Sequence, residues 1–316
     1  MSLPLIDLHR HLSGSISPIT VYNICQRHGL GIGQTRITDT LTHSDRAFKS
    51  FMDRFEIFRE IPWADFDVAQ MARQVVCDLV DEGIKYAEIR FSTRKFSKLV
   101  QSDDPLVTSA QVVCQMLLNM AHEHDIDLGL VLSTTYESKE DHEALIHLAD
   151  DEMVNDLAVG IDFVGHEDKL DAPLVKTVID RWCKNGKEII MHVGESQGCD
   201  NIKRAYYDFG VRRIAHGIRV VDDPVFMREA AKDCMFYLSP TSNIETGVVK
   251  IGDIHPGRAM IDAGCKITIG TDDPAMLGVT LRHEYTMAAT TMKLTDDEIK
   301  AVMQNSIDAS ILEVSV

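Results

Sequence analysis

Short apolar runs, many of them rich in β-branched residues, recur along the chain, separated by longer segments with helical spacing. Eight runs have the length and make-up of strands: Leu3–His9, Lys85–Phe91, Asp127–Ser133, Val159–Gly165, Glu188–His192, Arg212–His216, Met235–Leu238 and Lys266–Gly270. Between them, apolar positions three to four apart predict helices such as Asp67–Asp81, Ser109–His124, Ala172–Lys184 and Asp223–Lys232. Strands alternating with helices make βαβ units on a parallel sheet. Eight such units fit an α/β fold of the closed (β/α)8 TIM-barrel type, although a doubly wound open sheet shares the periodicity. Residues 12–66 break the alternation with a mostly helical insertion after strand 1, either a lid over the barrel mouth or a structural insertion. No repeat, low-complexity tract or Gly/Ser-rich linker divides residues 1–316, so one domain is expected.

The polar residues at the strand ends carry more information than the strands. His9 and His11, Gly165, His192 with Glu195, His216, Ser239, and Asp272 with Asp273 all fall at or just after a C-terminal end. In a parallel barrel those ends open on one face, where such enzymes place their chemistry. His9 and His11 stand at i and i+2, so on a strand both rings point one way and Arg10 points the other. Imidazoles sharing a divalent ion need that common direction. His122 and His124 repeat the spacing where a helix ends and are assigned to the surface. His142 and His147 are five apart, not the four of a helical metal motif.

His192 follows a strand directly, and Gly194 permits a tight loop that returns Glu195 over the site. Asp272 and Asp273 repel one another unless something positive lies beside them. A metal at Asp272 removes that penalty and leaves Asp273 for substrate. Three histidines and one aspartate together suggest a single zinc ion with an open position for water, whose pKa the metal lowers toward about 7. Glu195, His216 and Asp272 would supply proton transfer and charge stabilisation. The residue types imply metal-assisted hydrolytic attack on an electrophilic carbon and do not name the carbon.

Composition narrows the class. The 316 residues are 45% hydrophobic and 26% charged, an ordinary globular balance. With 49 acidic and 32 basic residues the net charge is −17, ill suited to nucleic acid, which is not expected as a partner. No apolar run is long enough to span a membrane, and the first residues lack the pattern of a signal peptide. Seven scattered cysteines without a C-x-x-C pair are expected as reduced thiols in the cytoplasm. The missing C-x-x-C also argues against the zinc deaminases that hold their metal with that motif.

Five motifs in order, His9-Arg-His11-Leu-x-Gly-Ser, His192-x-Gly-Glu195, His216-Gly217, Ser-Pro-Thr-Ser-Asn243-x-x-Thr-Gly247 and Gly270-Thr-Asp272-Asp273-Pro274, resemble the adenosine deaminase family of the amidohydrolase superfamily. The resemblance runs from residue 5 to about 285. It implies a (β/α)8 barrel with one zinc per chain, held by His9, His11, His192 and Asp272. It also implies removal of the 6-amino group of adenosine or a related 6-aminopurine by a zinc-bound hydroxide attacking C6. Under it, Glu195 donates a proton to ring N1, His216 orients and stabilises the attacking hydroxide, and Asp272 accepts a proton from that water. Asp273 bonds N7 and the Gly165 N–H meets N3.

The chain departs from the family pattern at three places. Ser13 stands where the adenosine enzymes carry an aspartate for the ribose 5′-hydroxyl and the adenine enzymes a glutamate. Ser92-Thr93-Arg94-Lys95 replaces the usual Ser-Pro segment, and His166 follows Gly165. Ser13 is retained as a substrate-binding position. Arg94, Lys95 and His166 are open to two readings, contacts to a larger or anionic substituent or solvated loop charges. The alternatives are an adenine or N6-modified adenine deaminase, or another mononuclear amidohydrolase cleaving an amide or ester. A bridged second metal needs a lysine at the end of strand 4, and the nearest is Lys169.

Overall fold

The computed structural model describes residues 3–314. Eight strands lie side by side in chain order and pair in parallel throughout. They are β1 (Leu5–His11), β2 (Ile84–Phe91), β3 (Asp127–Thr135), β4 (Ala158–Val164), β5 (Glu188–Val193), β6 (Arg213–His216), β7 (Met235–Leu238) and β8 (Lys266–Ile269). Helices connect them, and the sheet curls until β1 and the residues after β8 meet, the TIM-barrel arrangement expected. At that seam the Asp272 N–H donates to the His9 carbonyl and the His11 N–H to the Asp272 carbonyl, each at 2.7 Å.

All eight expected strands are present, with ends shifted by a few residues. The largest shift is in β1, which begins at Leu5 and runs through His11, so both histidines belong to the strand. The helices also start where their caps dictate. Asp104 accepts the Val107 N–H and Pro105 takes the first turn, so that helix begins at Pro105, four residues before the periodicity suggests. Residues 12–66 are mostly helical, with helices at Pro18–Arg27, Gln34–Thr42, Phe48–Asp53 and Ile57–Glu60.

Two apolar clusters divide the barrel. Ile6, Leu8, Tyr86, Val131, Ile190, Ala215 and Tyr237, from six strands, fill its interior, while alternate residues such as Ile89, Leu130, Ile161, Met191 and Ile214 pack outward against the helices. By this alternation His9 should face outward with Leu5. A register shift between Asp7 and Arg10 in the β1–β2 pairing resets the phase, so that Leu8 and His9 both point inward. Arg10 then reaches out to Glu82 at 3.0 Å, at the end of the helix Asp65–Glu82.

Gly270 lets the seam close, because a Cβ there would lie 2.6 Å from His9 Cβ and 3.0 Å from the His9 carbonyl oxygen. Gly270→Ala is expected to lower the unfolding free energy by about 1–3 kcal/mol, the range for overpacking a tight site. A urea midpoint equal to that of the parent protein would show that the seam can widen.

Candidate active site

The strand ends bring together the residues that the sequence singles out. His192 Nε2 lies 3.0 Å from His9 Nε2 and 3.2 Å from His11 Nε2. Asp272 Oδ1 lies 3.4 Å from His9 Nε2 and 3.2 Å from His11 Nε2. A tetrahedral zinc with ligands near 2.0–2.1 Å separates its donors by about 3.3 Å, so these spacings match the edges of such a site. His216 is drawn in too: His9, His192, His216 and Asp272 each offer a ligand atom within 4.8 Å of the others, as do His11, Asp162 and His192.

The proton inventory points to a cation. His9 Nδ1 faces the Tyr237 carbonyl at 3.4 Å, and His192 Nδ1 faces Asp162 Oδ1 at 3.0 Å. Both partners only accept, so each Nδ1 carries the hydrogen, and a neutral ring leaves Nε2 bare. Burial, with Arg90 nearby, holds His9 well below the usual histidine range and hence neutral. The bare His9 Nε2 lone pair lies 3.0 Å from His192 Nε2 with a carboxylate oxygen beside them, an arrangement of donor atoms that suits a positive ion between them. The residues fit a metal.

Asp162 carries the second layer of this cluster. It is fully buried and also accepts from Arg90 Nη1 at 3.0 Å. Burial opposes its charge, but His192 and Arg90 outweigh that and hold the carboxyl well below its ordinary range. Arg90 in turn donates to the Leu8 carbonyl at 2.7 Å.

His216 and Asp272 reach the cluster through unusual backbone. Alternation in β6 puts His216 in phase with outward-facing Ile214. Its φ of 58° lies in the left-handed region and turns the ring back, to 3.8 Å from Asp272 Oδ2. Asp272 has φ 62°. Such conformations are disfavoured for residues with a Cβ and persist where the surrounding structure imposes them.

Glu195 is buried with Oε2 3.6 Å from His216 Nε2, while Oε1 accepts from Asn243 at 3.3 Å and Thr246 at 3.4 Å. Burial, with Asp272 and Glu167 nearby, raises its pKa well above the ordinary carboxyl value, so Glu195 holds a proton. Its loop is fixed by the buried Glu167, whose carboxylate accepts the N–H groups of Gly194 (2.6 Å), Glu195 (3.0 Å), Ser196 (2.8 Å) and Gln197 (3.3 Å). Burial, together with Asp272, likewise keeps the Asp273 carboxyl well above its ordinary range.

A cavity of about 710 Å³ opens over these groups. Ser13, Gly165 and Asp273 line it, and Phe48, Phe51 and Phe55 from the helical insertion reach across it. Lys95 is not a solvated loop charge: it is half-buried, donates to Ser13 Oγ at 3.0 Å, and lies 5.7 and 5.8 Å from the Phe55 and Phe58 ring centres. Burial pushes its pKa down to about 8. Among the described residues it makes no ion pair, whereas Arg94 is exposed and pairs with Asp141. His166 is half-buried with its ring edge-on to Phe48. His122 and His124 are exposed, His142 is buried apart from exposed His147, and Lys169 is exposed beside Asp168.

A sequence model of the adenosine deaminase family matches residues 4–316. The chain belongs to the adenosine deaminase family. It is 28% identical to an adenosine deaminase of Proteus mirabilis over 98% of this chain and 94% of that protein. Among solved structures, a zinc-bound amidohydrolase from Burkhoderia ambifaria superposes with TM-score 0.87 at 21% identity, covering 98% of this chain and 86% of that one. An Arabidopsis N6-mAMP deaminase gives 0.83 at 24% identity, with 99% and 94% covered. At these identities the two structures speak for the fold, and the family match makes the chain a metal-dependent hydrolytic deaminase.

Sequence reasoning missed Arg90, Asp162 and Glu167 as parts of the site, and did not single out His255. A lone charge inside an otherwise apolar strand is the available signal for Asp162 in β4, whereas Arg90 shares β2 with Lys85 and Glu88 and does not stand out. Nothing local distinguishes Glu167 from a loop acid. Asp162→Asn weakens the acceptor for His192 Nδ1–H and is expected to reduce metal affinity about 10–100-fold, read by competition with a chelator. Unchanged affinity would remove Asp162 from the metal's support.

Proposed function

We propose that the chain removes the 6-amino group of an adenine nucleoside or nucleotide by hydrolysis, with one zinc held by His9, His11, His192 and Asp272. The carrying observation is the meeting of this donor set with a buried Glu195, whose carboxyl pKa burial holds well above its ordinary range. Zinc bound there is a Lewis acid that makes water nucleophilic at neutral pH. Glu195 donates its proton to N1 of the purine, which makes C6 electrophilic. His216 donates a hydrogen bond to the attacking oxygen, and Asp272 accepts a proton from the attacking water. Asp273, protonated in its buried setting, donates to N7, and the Gly165 N–H meets N3. Asp272 passes the proton it took to the 6-amino nitrogen, the C6–N bond breaks with release of ammonia, and the proton left on the new hydroxyl returns to Glu195, leaving the 6-oxopurine. Unpaired cysteines, five of the seven buried, suit the cytoplasm.

One observation favours a 5′-phosphorylated substrate over a nucleoside. Ser13 lies two residues beyond His11, where the adenosine enzymes place an acid for the 5′-hydroxyl. Here that position is a neutral hydroxyl bonded to a desolvated lysine with no carboxylate partner. A carboxylate suits a hydroxyl donor, whereas Lys95 and Ser13 suit a phosphate. The structural relative named for N6-mAMP acts on an adenine nucleotide.

The test is ammonia release from adenine, adenosine, AMP and N6-methyl-AMP by zinc-loaded protein. A 5′-monophosphate is expected to be turned over best, and no turnover of any compound would refute the deaminase reading. Better turnover of adenosine than of its monophosphate would refute the nucleotide reading alone. Lys95→Met should reduce kcat/KM for the nucleotide about 10–100-fold and leave adenosine little changed. Glu195→Gln should retain zinc and reduce kcat by about 10²–10⁴, since a proton donor is lost and a metal ligand is not.

A further inference from the structure

Behind Glu195 and His216 runs a buried chain of hydrogen bonds whose direction is set from one end. It starts at a backbone donor, where the Gly257 N–H reaches His255 Nδ1 at 3.0 Å. A ring nitrogen that accepts an N–H has no hydrogen of its own. His255 is fully buried, and burial pushes its pKa down to about 4, so the neutral ring carries its hydrogen on Nε2. That N–H donates to Asn243 Oδ1 at 3.1 Å. An amide seen alone fits either way round, but a donor at one end fixes which atom faces it. The Asn243 amide nitrogen therefore faces the other way, toward His216 Nδ1 at 3.1 Å and Glu195 Oε1 at 3.3 Å.

Each group downstream now has only one arrangement. His216 Nδ1 accepts, so the hydrogen of the ring is on Nε2, the atom that faces Glu195 Oε2 and Asp272 Oδ2 at 3.6 and 3.8 Å. Glu195 Oε1 accepts from Asn243 and from Thr246, which leaves Oε2 as the oxygen that carries the proton of the neutral acid. Both hydrogens thus sit on the sides of His216 and Glu195 that face the reaction site.

We infer that His255 is a positioning residue: acting through Asn243, it holds His216 in the Nε2–H tautomer and so makes that ring a hydrogen-bond donor in the site. Without the donor at residue 255 the Asn243 amide can turn over. Its oxygen would then face His216 Nδ1, draw the hydrogen to that nitrogen and leave Nε2 an acceptor, the wrong polarity for stabilising an attacking oxygen. His255 touches neither the cavity wall nor the metal cluster, and its effect is carried only by the direction of these bonds. The kinetic consequence rests on the proposed deamination, whereas the tautomer does not.

The decisive measurement is the nitrogen NMR signature of His216 in the zinc-loaded protein with labelled histidine, which needs no substrate. The Nε2–H pattern is expected, and an Nδ1–H pattern would overturn the inference whatever the reaction proves to be. His255→Leu should lower kcat about 10-fold or more, with KM within about twofold and metal content unchanged, because donor polarity acts mainly in the transition state. His255→Gln keeps an N–H within reach of Asn243 Oδ1 and should restore most of kcat. A folded Leu variant with normal kcat, or a Gln variant no better than Leu, would overturn it. If the Leu variant does not fold, the parent spectrum and the Gln variant still decide.

Discussion

The meeting of β1 with the residues after β8 is the constraint on which the active site depends. Two backbone hydrogen bonds of 2.7 Å join Asp272 to His9 and His11, so the contact that closes the cylinder also sets three of the four proposed metal ligands side by side. The fit is close enough that a Cβ at residue 270 would lie 2.6 Å from His9 Cβ. A bulge in β1 turns His9 inward, and left-handed backbone at His216 and Asp272 aims two more side chains at the same point. The site is over-determined by its frame, as strained functional residues require.

Burial then sorts the ionisable groups into two sets. Asp162 stays charged because Arg90 and His192 surround it, whereas Glu195 and Asp273 face other acids and keep their protons. The adjacent carboxyls of Asp272 and Asp273 are pushed in opposite directions, the division that the proposed acid and base roles require. The same burial keeps His9 and His216 neutral, with His216 down to about 3, so the cluster offers lone pairs and directed hydrogens in place of positive charge. An ion of charge +2 suits such a pocket better than bulk water does. Glu167 holds the loop of Glu195 through its backbone N–H groups, and Asn243 bridges Glu195 and His216, so these side chains are held in place before any ligand arrives.

The far end of the cavity follows different rules. Phe48, Phe51 and Phe55 from the helical insertion provide an apolar wall, and Lys95 lies near the Phe55 and Phe58 rings, with the Ser13 hydroxyl as its hydrogen-bond partner among the described residues. A buried ammonium without a direct ion pair binds an anion readily, although Asp141, Asp273 and Glu56 lie near enough to act on it. On the proposed nucleotide reading the substrate's own charge supplies what the protein omits, and the insertion then serves recognition as well as the fold.

The strands, the shared face of His9 and His11, and the strand-end positions of His192, Glu195, His216 and Asp272 were legible in the chain because period-2 alternation and local turn chemistry are sequence-local properties. The barrel type followed from eight alternations, and the family from five motifs in order. Other features were settled only by packing. The β1 bulge and the positive φ of His216 depend on neighbouring strands, so alternation alone places both rings on the wrong face. Arg90, Asp162 and Glu167 acquire their roles from partners tens of residues away, and Lys95 changes from a surface charge into a pocket cation only when residues 55 and 58 fold over it. Sequence therefore determined which atoms were available and in what order. Tertiary structure decided their direction, protonation and partners, because each of these is a property of what surrounds an atom in space and not along the chain.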